Sequence, residues 1–200
     1  MRLLLIRHGE SEADLLGVHE GRADFPLTDR GRRQAKAMAA AVAKRETVDR
    51  IYASPLTRAK ETASFLSVAT GVSVSFNDDL MEFNNGLLAG LSRKEADEKY
   101  PMIPDLPVDQ AVYGMESKQA FRQRAERVLT RIITENSGHS TVAVVTHGGM
   151  IDQLYHALLG LPVESVCRFR TDDTGVHIWE LTEQEKTVVS ANDRTHLSNL

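Results

Sequence analysis

Two hundred residues, 42% of them hydrophobic, are enough to build one well-cored domain over 1–200. With 28 acidic against 24 basic residues, the formal charge of -4 provides no basic footprint for nucleic acid or an anionic membrane surface. No apolar run approaches the roughly 20 residues of a membrane span, no secretory-type stretch follows Met1, and the single Cys167 excludes an intramolecular disulfide; a cytoplasmic protein is expected, with Cys167 as a small buried hydrophobe.

In chain order, Met1 to Ile6 is a continuous apolar run that predicts a buried strand. Residues 11–28, punctuated by Gly17, Gly21 and Pro26, are expected to be loop. Thr28 or Asp29 caps a predicted helix to about Arg45, and Val48 to Tyr52 forms a second strand. Ser54-Pro55 supplies an N-cap and a first-turn proline for a helix to about Thr70. Val72 to Phe76 makes a third strand. Residues 77–116 are the least regular stretch and are expected to form a lid that sets specificity, with a short helix opened by the capping box Ser92 to Glu95. A long amphipathic helix runs from Ser117 to Asn136, followed by Gly138. The β-branched run Thr141 to Thr146 is the clearest strand, leading through His147-Gly148-Gly149 into a helix from about Met150 to Leu159. Two or three further strands are predicted among Val166–Arg170, Val176–Leu181 and Thr187–Ala191. Strands alternating with helices in this way imply an α/β domain, a three-layer α/β/α sandwich around a mostly parallel sheet. Ligands bind such sheets beyond the carboxyl ends of the strands. Arg7-His8 and His147 both follow strands, so both histidines are expected on one rim.

Two arginines, two histidines and two helix N-termini at that rim would suit a dianionic phosphoryl group. Arg58 falls in the first turn of its helix, and Gly148-Gly149 opens another beside His147. A Walker-type loop and metal-ligand spacing are both missing from the sequence, so neither a nucleotide cofactor nor a metal is expected. His19, His139, His156, His177 and His196 are expected to be surface or structural, and Trp179 to lie in the core.

The chain resembles the histidine phosphatase superfamily, also called the phosphoglycerate mutase-like family, over almost its whole length. Six blocks carry the resemblance in the family's order: Arg7-His8-Gly9-Glu10; Asp24 to Thr28 with Gly31 and Gln34-Ala35; Ser54 to Ala59 with Thr62-Ala63; Leu80-Met81-Glu82 with Gly86 and Gly90; Gly114 to Ser117; and Thr146 to Gly149. The resemblance implies the phosphoglycerate mutase-like fold and metal-independent hydrolysis of a small phosphorylated metabolite by a monomer or homodimer. It implies His8 as nucleophile, Glu82 as general acid, and Arg7, Arg58 and a protonated His147 on the phosphoryl oxygens, with Gly148 and Gly21 lining the site. The apolar neighbours Leu80, Met81 and Phe83 would desolvate Glu82.

Three positions depart from the family. Asp14 stands where many members carry an asparagine, and would repel phosphate unless protonated or turned toward an arginine such as Arg22. Val18 and Glu20 stand where an Arg-x-Gln-Gly or Arg-x-Thr-Gly segment is common, with Gly21 retained. The extra cations of a mutase are also missing: Phe83-Asn84-Asn85-Gly86 follows Glu82, and residues 96–112 hold Lys99 but no arginine. Hydrolysis is therefore expected over the alternatives, a 2,3-bisphosphoglycerate-dependent phosphoglycerate mutase or a catalytically impaired phosphate- or protein-binding module.

Overall fold

A computed structural model describes residues 1–137, 141–198 and 200. Gly138, expected to stop the long helix, and His139 lie outside the described residues. Among these residues the sheet has six strands: β1 (Arg2–Arg7), β2 (Arg50–Ala53), β3 (Val74–Phe76), β4 (Thr141–Thr146), β5 (Val176–Leu181) and β6 (Lys186–Asp193), in the order β3-β2-β4-β1-β5-β6. The first four are mutually parallel, whereas β5 runs antiparallel to both of its neighbours, β1 and β6. No strand forms at Val166–Arg170. There the Phe169 N–H donates to the Asp152 side chain and the Cys167 carbonyl accepts from His156, so these groups are satisfied without a neighbouring strand.

Helices cover both faces because β1 and β4 are apolar on both. Leu4 and Ile6 pack with α2 (Asp29–Arg45) and α3 (Thr57–Thr70) through Met38, Val42, Ala59 and Leu66. Leu3 and Leu5 face α5 (Lys118–Glu135) and α6 (Gly148–Leu159) through Phe121, Val128, Ile151 and Leu154. Trp179 is fully buried in that second core. Each fully buried Leu or Ile contributes about 1.5–3 kcal/mol, so the two cores anchor the same central strands and hold their C-terminal ends rigid. Cys167, expected inside, is exposed on the segment before β5.

Two connections differ from expectation. Residues 11–28 contain a helix, α1 (Glu12–Leu16), with a capping box between Ser11 and Asp14 and Gly17 in the left-handed conformation at its end. Ser54 does not cap α3. That helix starts at Thr57 without a side-chain cap, and the Ser54 hydroxyl is used in the site instead. Residues 77–116 contain two single 3-10 turns and α4 (Arg93–Lys99), capped by Ser92 and Glu95 as expected. No helix among the described residues is long and apolar enough to cross a membrane.

Candidate active site

Three adjacent parallel strands, β2, β4 and β1, each deliver the residue that follows their last position: Ser54, His147 and His8. Arg7 and Thr146 are in register, and the ladder continues one step further as His8 N–H donates to Thr146 O at 3.0 Å and Ser54 N–H to Val145 O at 3.0 Å. The two imidazoles therefore meet with ring centroids 5.1 Å apart. The backbone leaves β1 through Gly9, whose added Cβ would lie 2.5 Å from the Gly31 carbonyl, so the start of α2 can come this close only to glycine. Glu10 of the same motif turns away from the rim and holds Thr28 and Arg30 at that helix start.

His8 is 1% exposed, and its Nδ1 lies 2.8 Å from the Gly9 carbonyl. A carbonyl only accepts, so the proton sits on Nδ1 and the Nε2 lone pair faces the site. Burial, then the nearby Arg7 and Arg58, push the His8 pKa well below its ordinary value, keeping that lone pair free. His147 Nε2 lies 2.8 Å from the Ser54 hydroxyl, which already accepts the Leu56 N–H. Ser54 O–H is then free to donate to Nε2, an arrangement that places the His147 proton on Nδ1. Burial first, then Arg58, His8 and Arg7, push the His147 pKa well below its ordinary value in the unliganded site; the expected protonated ring is one facing a bound phosphoryl anion, whose charge would push the other way.

Both arginines are gripped at their far ends. Arg7 donates through Nη1 to Thr171 O at 2.9 Å and pairs through Nη2 with Asp173 at 3.2 Å and Asp14 at 3.8 Å. Arg58, fully buried, donates to Ala23 O at 3.0 Å and Gly21 O at 2.7 Å. What remains is Arg7 Nε, Arg58 Nε and His147 Nδ1, three buried nitrogens without an aligned hydrogen bond among the described residues, although the Glu20 carboxylate lies 3.2 Å from Arg58 Nε. A buried donor left unpaired costs about 1–3 kcal/mol, and a phosphoryl group carries the acceptors that would satisfy all three. Gly148 lies against the Arg7 side chain. Asp14 is tied by its cap to Ser11 and turned toward an arginine, Arg7 rather than Arg22.

Glu82 closes the opposite side. Its Oε2 accepts the Gly149 N–H at 2.8 Å and its Oε1 the Phe83 N–H at 2.8 Å. A Cβ on Gly149 would lie 2.4 Å from Oε1, so an alanine there would push the carboxyl out of place. Leu80 beside it points into the core, fully buried. Sequence reasoning missed Arg124, a nearly buried residue of α5. It donates to the carbonyls of Asp79, Met81 and Glu82 and forks onto Glu116, clamping the acid-bearing segment. Arg22 reaches the same Glu82 carbonyl at 3.4 Å and approaches Glu116.

Thr171 is itself positioned by His177. The Asn192 N–H can only donate, so His177 Nδ1 accepts it together with the Tyr155 O–H, and Nε2–H donates to Thr171 Oγ1 at 3.0 Å. Burial lowers the His177 pKa to about 4. Because the folded value lies below the unfolded one, this contribution is complete above about pH 6.5 and is lost as pH falls toward 4, amounting to about 3 kcal/mol. Urea unfolding of the wild type from neutral to acidic pH should show this loss. His177→Gln should flatten the profile over the same window, and an unchanged profile would assign the proton to another group.

A family profile described as the histidine phosphatase superfamily (branch 1) matches residues 3–194. The chain is 30% identical to phosphoserine phosphatase 1 of Hydrogenobacter thermophilus, over 98% of this chain and 94% of that one. It is 34% identical to glucosyl-3-phosphoglycerate phosphatase of Mycolicibacterium vanbaalenii, over 82% and 76%. Among solved structures, the alpha-ribazole phosphatase of Shigella flexneri superimposes with a TM-score of 0.84 at 28% identity, over 97% of each chain. Two histidines and two arginines gathered on one rim and a match along nearly the entire chain agree: this protein belongs to the histidine phosphatase superfamily, branch 1, and is a phosphomonoesterase.

Proposed function

We propose that the protein hydrolyses small phosphorylated metabolites without a metal, through a phosphohistidine on His8. The free Nε2 lone pair of His8, beside the Arg7, Arg58 and His147 nitrogens that make no aligned hydrogen bond, carries this reading. Phosphoryl oxygens would lie on those three nitrogens while Nε2 attacks phosphorus. As the N–P bond forms, the ester P–O bond breaks, and Glu82 in its protonated form delivers the proton to the departing oxygen. Water then attacks phosphorus, Glu82 takes its proton, and the N–P electron pair returns to Nε2 as phosphate leaves. The guanidinium groups of Arg7 and Arg58 supply the positive charge that these steps need, fixed in place beforehand.

Beyond Glu82 lie two cavities of about 460 and 480 Å³ that share Phe83, Met115 and Lys118. One is walled by Tyr100, Met102, Pro104 and Tyr113, the other by Gln153 and Arg168. Their basic lining residues are Lys118, Arg168 and His19, against Asp97, Asp105, Glu116, Asp152 and Glu164. That balance disfavours a second phosphate or carboxylate on the substrate, and with it the mutase reaction. It favours a leaving group with an apolar face and a few polar atoms.

Acid–base chemistry separates the two half-reactions and provides the test. An aryl phosphate leaves without help, so Glu82→Gln should form the phosphoenzyme and hydrolyse it about 10²–10⁴-fold more slowly than the wild type. Rapid quenching of Glu82→Gln should capture one phosphoryl group per chain, labile in acid and stable in base as an N–P bond is, with chelator present throughout. A quenched protein that carries no label, or an alkali-labile one, would overturn the phosphohistidine.

A further inference from the structure

The loop before Arg22 places a carboxylate where the substrate's phosphoryl group would sit. Glu20 Oε1 lies 3.2 Å from Arg58 Nε, and Oε2 lies 3.7 Å from His8 Nε2. These are the nitrogen that would hold a phosphoryl oxygen and the nitrogen that would attack phosphorus. The Glu20 side chain is 17% exposed, and Oε1 has no aligned hydrogen bond, so the contact with Arg58 is one of charge. The backbone around it is pinned. Arg58 grips the Gly21 and Ala23 carbonyls, and Gly21, at φ +48, is packed so closely on Asn85 that a Cβ would lie 1.9 Å from Oδ1. Such a loop fixes the Glu20 backbone beside the cradle.

We propose that Glu20 is a built-in competitor for the phosphoryl site: its carboxylate occupies the Arg58–His8 cradle in the free protein, and a tetrahedral dianion enters only with uptake of one proton by Glu20. The proposal rests on the phosphoryl reading of this pocket. Once protonated, Glu20 changes from a repelling anion to a donor toward the ligand's oxygens. The groups around it agree. Arg58 from α3, Arg7 and His8 from the end of β1, and Ser11 and Asp14 from the start of α1 all face it. Burial, the largest influence, holds the Glu20 pKa above its ordinary value, Asp14 adds to this, and Arg58, Ser11 and Arg7 oppose it. A bound dianion would push the same way as Asp14, but from closer range. In consequence product phosphate is released more readily as pH rises, and the site favours ligands presented under mildly acidic conditions.

Sulfate is the probe, because it keeps both charges throughout the working range and any proton taken up belongs to the protein. Calorimetry in two buffers of different ionisation enthalpy counts that proton for the wild type and for Glu20→Gln. The wild type should take up about one more proton per sulfate, and its affinity should fall about tenfold more per pH unit than that of the variant between about pH 6 and 8. Glu20→Gln should bind sulfate about 10–100-fold more tightly at the alkaline end. The comparison also removes any proton taken up by His8 or His147, which both proteins share. Equal proton counts with parallel affinity profiles would overturn the proposal. Failure of both proteins to bind either sulfate or orthovanadate would instead overturn the phosphoryl site itself, and the competitor with it.

Discussion

The His8→Ala protein should turn over phosphomonoesters at least about 10³-fold more slowly than the wild type, with kcat and kcat/KM falling together. The size of the effect follows from what replaces the imidazole. Without Nε2, the reaction requires water to attack the phosphoryl group directly from the His8 side, a face buried to 1% exposure and walled by His147 and Glu20. Binding should survive, since Arg7 Nε, Arg58 Nε and His147 Nδ1 do not depend on His8 for their positions: the arginines are held by Thr171, Asp173, Gly21 and Ala23, and His147 by Ser54. The fold should survive as well, because the ring's own hydrogen bond is to the neighbouring Gly9 carbonyl. Steady-state kinetics together with orthovanadate binding tests this. Full retention of turnover would move the nucleophile elsewhere, and loss of both turnover and binding would show that His8 shapes the cradle rather than attacking within it.

The legible parts of this chain were those in which local chemistry and the global fold request the same thing. The runs at Leu3 to Ile6 and Val142 to Val145 are apolar at every position because both faces of their strands are covered, and the structure places them in the centre of the sheet. The shared rim followed from that, since residues leaving adjacent parallel strands have nowhere else to meet. What escaped was of three kinds. The helix α1 is too short for a periodic apolar face, and its Leu15 and Leu16 are exposed; its one sign was the capping pair Ser11 and Asp14 with Gly17 behind them. Ser54 does carry a cap signature, but its hydroxyl is claimed by His147, a tertiary partner 93 positions away. Arg124 reads as an ordinary charged residue of a long helix. Its burial comes from three carbonyls at residues 79, 81 and 82, which only folding brings to it.

Arg58→Ala should combine the largest loss of stability with a fall in kcat/KM of about 10²–10³-fold, the usual consequence of removing one charged donor from a transition state. The stability effect has two sources. The Gly21 and Ala23 carbonyls lose their donor, and Glu20 is left buried beside Asp14 without its nearest countercharge. Removing one partner of such a buried pair costs about 3–5 kcal/mol. Lysine is a poor substitute: it carries the charge but lacks the planar fork that spans two carbonyls while leaving Nε for the ligand. The two losses should separate in the double variant Arg58→Ala/Glu20→Gln. Neutralising Glu20 removes the uncompensated charge, so part of the stability should return, with a coupling of about 1–3 kcal/mol in a double-mutant cycle. Activity should not return with it, because the donor to the phosphoryl oxygen is still missing. Chemical denaturation and kinetics on the four proteins test both limbs at once. A cycle that closes without coupling would mean that the Arg58–Glu20 contact contributes nothing measurable to the fold, whereas recovery of activity in the double variant would show that Arg58 serves chiefly to hold Glu20 rather than the phosphoryl group.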